Sequence, residues 1–152
     1  MNTLLKIAIA LLGVSTGAML LIAVGIAPYW SAVNPIEFME IFSASSAYMG
    51  KLMVPLGVST ALITIIVAIM AYKQGSRHFV LIAIAAVTAL LSSLSFPLYF
   101  KDANALIQSM TLTSDEASQA LVSWQIWHWT RIVISTVALF AALQFLSKQA
   151  QH

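Results

Sequence analysis

The stretch "SWQIWHWTRIVISTVALFAALQFL", Ser123 to Leu146, decides the fold class. From Ile132 to Leu146 it carries no charge, and from Trp124 to Arg131 it packs three tryptophans, a histidine and an arginine into its entrance. An uncharged run closing on aromatic residues is the pattern of a helix that enters a bilayer. Three more apolar runs, roughly 4–27, 52–72 and 79–99, are long enough to cross about 30 Å of hydrocarbon, which takes about 20 residues at a rise of 1.5 Å. The fourth helix is expected over roughly 115–147, with its membrane-crossing part from Trp127 to Leu146.

Composition agrees. The 152 residues are 61% hydrophobic and only 8% charged, with a mean hydropathy of +0.93. About a quarter of the residues in a soluble domain are charged. The expectation is an all-α integral membrane protein: one domain over residues 1–152, a four-helix transmembrane bundle with a small extracytoplasmic cap from residues 29–50 and 101–123. The uncharged part of the first run, Ile7 to Ala27, exceeds the ~7–15 residues of a signal-peptide core, so it is read as a retained helix. Without cysteine there is no disulfide or thiolate chemistry. A net charge of +2 gives no footprint for nucleic acid. The partners expected are the lipid bilayer and a lipophilic small molecule, with a homo-oligomer left open.

Basic residues set the orientation. Lys6, Lys73, Arg77 and Lys148 fall on one side, Lys51, Lys101 and Arg131 on the other. That count puts both termini in the cytoplasm, and the expected location is a plasma membrane of the bacterial inner type.

The connecting segments carry their own signals. Pro28 is expected to close the first helix. "NPIEFMEIF" reads as a short helix with Asn34 as N-cap, Pro35 at its first position and Glu37 at its third. Glu37 and Glu40 are three apart and share a face; that face is either solvated or turned to a pocket. Pro97 should kink or end the third helix. "TSDE", Thr113 to Glu116, is a capping box that starts the fourth helix well before the membrane, as a stalk. "GVSTG", Gly13 to Gly17, is a small-xxx-small pair that lets another helix approach closely.

All four tryptophans, three of four tyrosines and all four prolines lie on the outer side. An aromatic belt explains part of this, but belts form on both faces, and the asymmetry points to a pocket opening outward. Helical spacing puts Trp124, His128, Arg131 and Ser135 on one stripe. Trp127 borders the stripe, and Trp129 points away to lipid. An arginine about one turn inside an apolar run is costly and usually faces the bundle with a partner; Glu37, Glu40 and Asp102 are the candidates. The plainer alternative is snorkelling to the headgroups. On the same stripe, His128 could move a proton at neutral pH. A metal would have to use His128 with Glu37 and Glu40, a copper would have to use Met49 and Met53, and a haem would need His128 as axial ligand. Packing residues explain these better, and neither metal nor cofactor is expected.

These features resemble the anthrone-oxygenase-like family of small four-helix membrane proteins, across most of the chain. The resemblance rests on a Trp-x-x-Trp-polar-x-x-Arg signature, here "WQIWHWTR" (Trp124 to Arg131), on "FMEIFS" (Phe38 to Ser43) and on "FPLYFKDAN" (Phe96 to Asn104). It departs from the family pattern at Ser43, Ser95, Tyr99 and Ile132, and at His128, where asparagine is common. The resemblance implies cofactor-independent oxygenation of a lipophilic anthrone- or quinol-like compound. Trp124, Trp127 and Tyr99 would hold the ring, with Asn104, Glu37 and Glu40 as further binding residues. His128 would take a proton and Arg131 would stabilise the resulting anion. A non-enzymatic binding module, or a subunit of a membrane complex, is the alternative.

Overall fold

The computed structural model describes residues 1–149; the last three residues of the expected 1–152 domain lie outside the described residues. Among the described residues the chain is helical, without strands. α1 (Asn2–Leu21) passes through a π-helical turn (Ile22–Ile26) into α2 (Ala27–Ala32). α3 runs from Pro35 to Lys73. α4 (Phe79–Ser95) passes through a second π-helical turn (Phe96–Phe100) into α5 (Lys101–Gln108). α6 covers Ser114–Gln149. These make four rods, Asn2–Ala32, Pro35–Lys73, Phe79–Gln108 and Ser114–Gln149, each long and apolar enough to cross a membrane.

Three sequence expectations change here, all at prolines. Pro28 does not close the first helix, because the wider π turn just before it places Pro28 early in α2, where its missing N–H costs little. The short helix at Asn34 and the second membrane helix are a single rod, and Pro55 lies inside it. Of the two outcomes expected at Pro97, a kink or an end, the end does not occur. The Ser93 carbonyl, which Pro97 cannot serve, takes the Phe96 N–H instead, and a π turn carries the helix on. Asn34 caps α3 as expected, accepting the Glu37 N–H at 2.9 Å. The "TSDE" box forms in full: Glu116 takes the Thr113 N–H and hydroxyl, each at 2.8 Å.

The rods pack in a ring, α1 beside α3, α3 beside α4, α4 beside α6 and α6 beside α1. Only the tight turn 74–78 separates α3 from α4. There the Ser76 N–H reaches back to the Ala71 carbonyl, and Gly75 adopts φ +64°, a left-handed conformation open to glycine. Gln149 reaches the sulfur of Met1, so the start of α1 and the end of α6 lie together.

Two large cores fill most of the interior, with a small cluster of Met19, Ala23 and Ile132 beside them. The half near the tight turn is rich in small residues, with Ala8, Ala71, Ala85, Ala138 and Ala142 beside Leu5, Leu12 and Phe145. Small side chains let helices approach closely where hydrophobic exclusion from water cannot drive them together. The other half is aromatic, with Trp30, Phe38, Phe42, Phe100 and Trp124 packed around Met39 and Ile107. Its rings meet edge to face, as Trp30 does on Trp124 at 5.4 Å and 77°. Outside, Leu62, Ile66, Val87, Leu91, Val133 and Phe140 lie exposed on the rods, an apolar band that suits lipid rather than water. Gly17 is exposed and Gly13 half-buried; nothing lies within 4 Å of where a Cβ would sit on either, so among the described residues no helix uses the close approach they permit.

Candidate functional site

Between the two cores runs a polar seam. Ser15 bonds Thr60 at 2.9 Å, and Thr16 bonds Ser135 at 3.0 Å. Such bonds tie α1 to α3 and to α6 inside the bundle. At the aromatic edge of the seam stand His128 and Arg131.

His128 is 1% exposed and both its ring nitrogens are engaged. Nδ1 lies 2.9 Å from Arg131 Nη2, and Nε2 lies 2.9 Å from the Met19 carbonyl oxygen. A guanidinium only donates, so Nδ1 accepts; a carbonyl only accepts, so Nε2 carries the hydrogen. These bonds therefore set a neutral imidazole protonated on Nε2. Met19 sits just ahead of the first π turn, and π turns in α-helices are frequent at functional sites. The imidazole is also clamped by Trp124, which stacks on it at 4.7 Å and 16°. Trp124 in turn is fixed by its indole N–H, donated to Asn104 Oδ1 at 2.9 Å.

Arg131 lies over the face of Phe100, its guanidinium carbon 4.3 Å from the ring centroid, a cation–π contact. Phe100 closes the second π turn, so one residue in a π turn and one just ahead of the other π turn contact the His128–Arg131 pair. Among the described residues no carboxylate pairs with Arg131, and its Nε is buried without a hydrogen-bond partner. Glu37, Glu40 and Asp102, the expected partners, are all exposed instead.

Arg131 forms part of the wall of two cavities. The larger, about 190 Å³, extends along the seam past Met19, Met53, Ser15, Thr60, Ser92, Ser93 and Ser135. The smaller, about 50 Å³, lies beside Phe42, Ser46, Phe100, Asn104 and Trp124.

The structure brings Trp124, His128, Arg131 and Asn104 together. It separates the others. Trp127, 42% exposed, stacks on Tyr99 at 4.7 Å and 13°, and the Tyr99 hydroxyl bonds Ser123 at 2.9 Å. The two rings thus use their faces on each other, outside both cavities. Glu37 and Glu40 line neither cavity, and no three His, Asp or Glu side chains gather among the described residues. Sequence spacing does not point to Met19, Phe100, Ser92 or Ser93. Phe100 is readable within the "FPLYF" segment, but the Met19 carbonyl carries no sequence signal.

Comparison with known proteins adds no relative: no family model matches the chain, and no curated protein or solved structure matches it.

Proposed function

We propose that this is an integral protein of a bacterial inner-type membrane, with both termini cytoplasmic and the aromatic half of the bundle outward. In this reading it binds a lipophilic aromatic molecule at Arg131 and oxygenates it. One observation carries the reading: a cation inside the bundle, on the walls of both cavities, with no carboxylate partner among the described residues and one N–H unused. Ionisable groups at membrane depth are expensive and mark functional sites.

The reaction class comes from the resemblance to anthrone-oxygenase-like proteins. An anthrone- or quinol-like ring would place its oxygen against Arg131. Drawn to that oxygen, the guanidinium would release His128 Nδ1, which is then free to take a proton from the activated ring carbon. Arg131 would hold the enolate oxygen, and dioxygen would accept the electron pair. For an anthrone the carbon loses two hydrogens and gains one oxygen atom; the second oxygen atom leaves in water. Dioxygen is the only co-reactant.

The test is oxygen uptake by the purified protein in nanodiscs with anthrone, expecting one dioxygen consumed per quinone formed. His128→Ala and Arg131→Met should abolish it. An inert wild-type protein would sink the oxygenase reading. The rival reading, a binding module or complex subunit, draws on the fact that both nitrogens of His128 are already bonded.

A further inference from the structure

We infer that the ligand of the Arg131 cavity is a single oxygen-bearing ring on a long apolar tail, entering from the lipid between α3 and α4. This rests on the reading that the cavity is a ligand site, and it adds the ligand's shape and route.

Size sets the first limit. Drug-sized ligands occupy about 300–1,000 Å³, whereas an apolar cavity of about 150 Å³ holds one benzene ring. The larger cavity, at about 190 Å³, therefore encloses one ring, and the rest of the molecule, a tail here or the outer rings of an anthrone, lies outside it.

The wall shows where that remainder goes. Val58 of α3 and Leu94 of α4 both line the cavity, yet are 45% and 40% exposed on the outside of the bundle. The cavity thus reaches the apolar surface between these rods. Gly57 keeps the gap open, since a Cβ there would meet only Ser93 Oγ, at 3.8 Å. A tail leaving here passes into hydrocarbon.

Polar groups define the ring. Hydroxyls within these helices usually bond back to the preceding turn, as Thr60, Thr64, Thr88, Thr130 and Thr136 do. The Ser92 and Ser93 hydroxyls make no hydrogen bond among the described residues, although both line the cavity. Together with Arg131 they provide a cation and two free hydroxyls on one ring-sized space. Such a set suits a quinone or phenol with oxygen on more than one edge. The neighbouring walls, Leu12, Met19, Met53 and Val54, suit its faces.

The probe is a decyl-substituted benzoquinone, added to the purified protein in phosphatidylcholine nanodiscs and followed by quenching of tryptophan fluorescence. Concentrations are expressed per lipid, which cancels partitioning. Saturable quenching is expected, at least about tenfold tighter than that of the same quinone without its tail, and absent with Gly57→Leu, which fills the gap. Decylbenzene should not compete. Val58→Trp, at the exposed mouth, gives the same test should Gly57→Leu fail to fold, and Ser92→Ala with Ser93→Ala should weaken binding severalfold. Non-saturable quenching, or quenching that survives both plugs, overturns the inference. So does displacement of the quinone by phosphatidylglycerol, which would assign the site to a lipid headgroup. Saturable binding without oxygen uptake would remove the oxygenase reading alone. Turnover of tail-less anthrone without binding of the tailed quinone would remove this inference alone.

Discussion

Replacing Arg131 with methionine separates an arginine kept for a ligand from one kept for the fold. A guanidinium at the centre of a span costs about 2.5–3.5 kcal/mol on insertion scales, and less towards the interface; one turn into the apolar run, about 2 kcal/mol is a fair figure. Against this stand the stack on Phe100, worth about 1–2 kcal/mol when desolvated, and the bond to His128. His128 and Arg131 lie three apart on α6, where such a side-chain pair adds about 0.2–0.5 kcal/mol. Cost and gain nearly cancel. Methionine removes both and keeps much of the volume. What remains is His128 Nδ1 without its donor, a loss of about 1–3 kcal/mol for a buried acceptor. Arg131→Met should therefore destabilise the ligand-free protein by about 1–3 kcal/mol, read from reversible unfolding in mixed micelles, while abolishing binding of the tailed quinone. A structural ion pair behaves differently: removing one partner of a buried pair costs about 3–5 kcal/mol. A loss in that range, with ligand binding retained, would refute the argument.

Three further outcomes are expected. Trp124→Phe keeps a ring over His128 but gives up the bond to Asn104, and should cost about 1 kcal/mol in the same unfolding assay; Asn104→Ala added to it should cost little more, because the two share that bond. A double-mutant cycle on Tyr99 and Trp127, each changed to leucine, should give a coupling of about 0.5–1.5 kcal/mol, and a coupling of zero would remove their stack. Thr113→Ala should cost about 1 kcal/mol through loss of the α6 cap. Its partner Glu116, in the stalk, has a carboxyl held below its ordinary value by hydrogen bonds from the Thr113 backbone N–H and side chain. A lowered value in the folded state means the cap's contribution is complete above the unfolded carboxylate range and is lost as pH falls through the folded value. The protection factors of the amides in the first turn of α6, exchange rates divided by the intrinsic rate at each pH, should therefore fall on acidification in the wild type and already be low in Thr113→Ala.

The sequence by itself determined the class of this protein and the place to look. Long uncharged runs at 1.5 Å per residue dictate rods of membrane length. The Asn34 and Thr113 caps are bonds between residues three apart, so their spacing is enough to read them. The stripe through Trp124, His128 and Arg131 was legible for the same reason, since helical periodicity is local. What the prolines would do was not legible: whether a missing N–H ends a helix or is absorbed in a π turn depends on packing around the break. Nor were the partners of the stripe. His128 Nε2 finds a backbone carbonyl on α1, Arg131 finds the ring of Phe100 rather than a carboxylate, and Tyr99 finds Trp127. Only the tertiary structure decided these. Each joins residues on different rods, and it takes the packing of all four to choose, among groups of similar chemistry, the one that stands within reach.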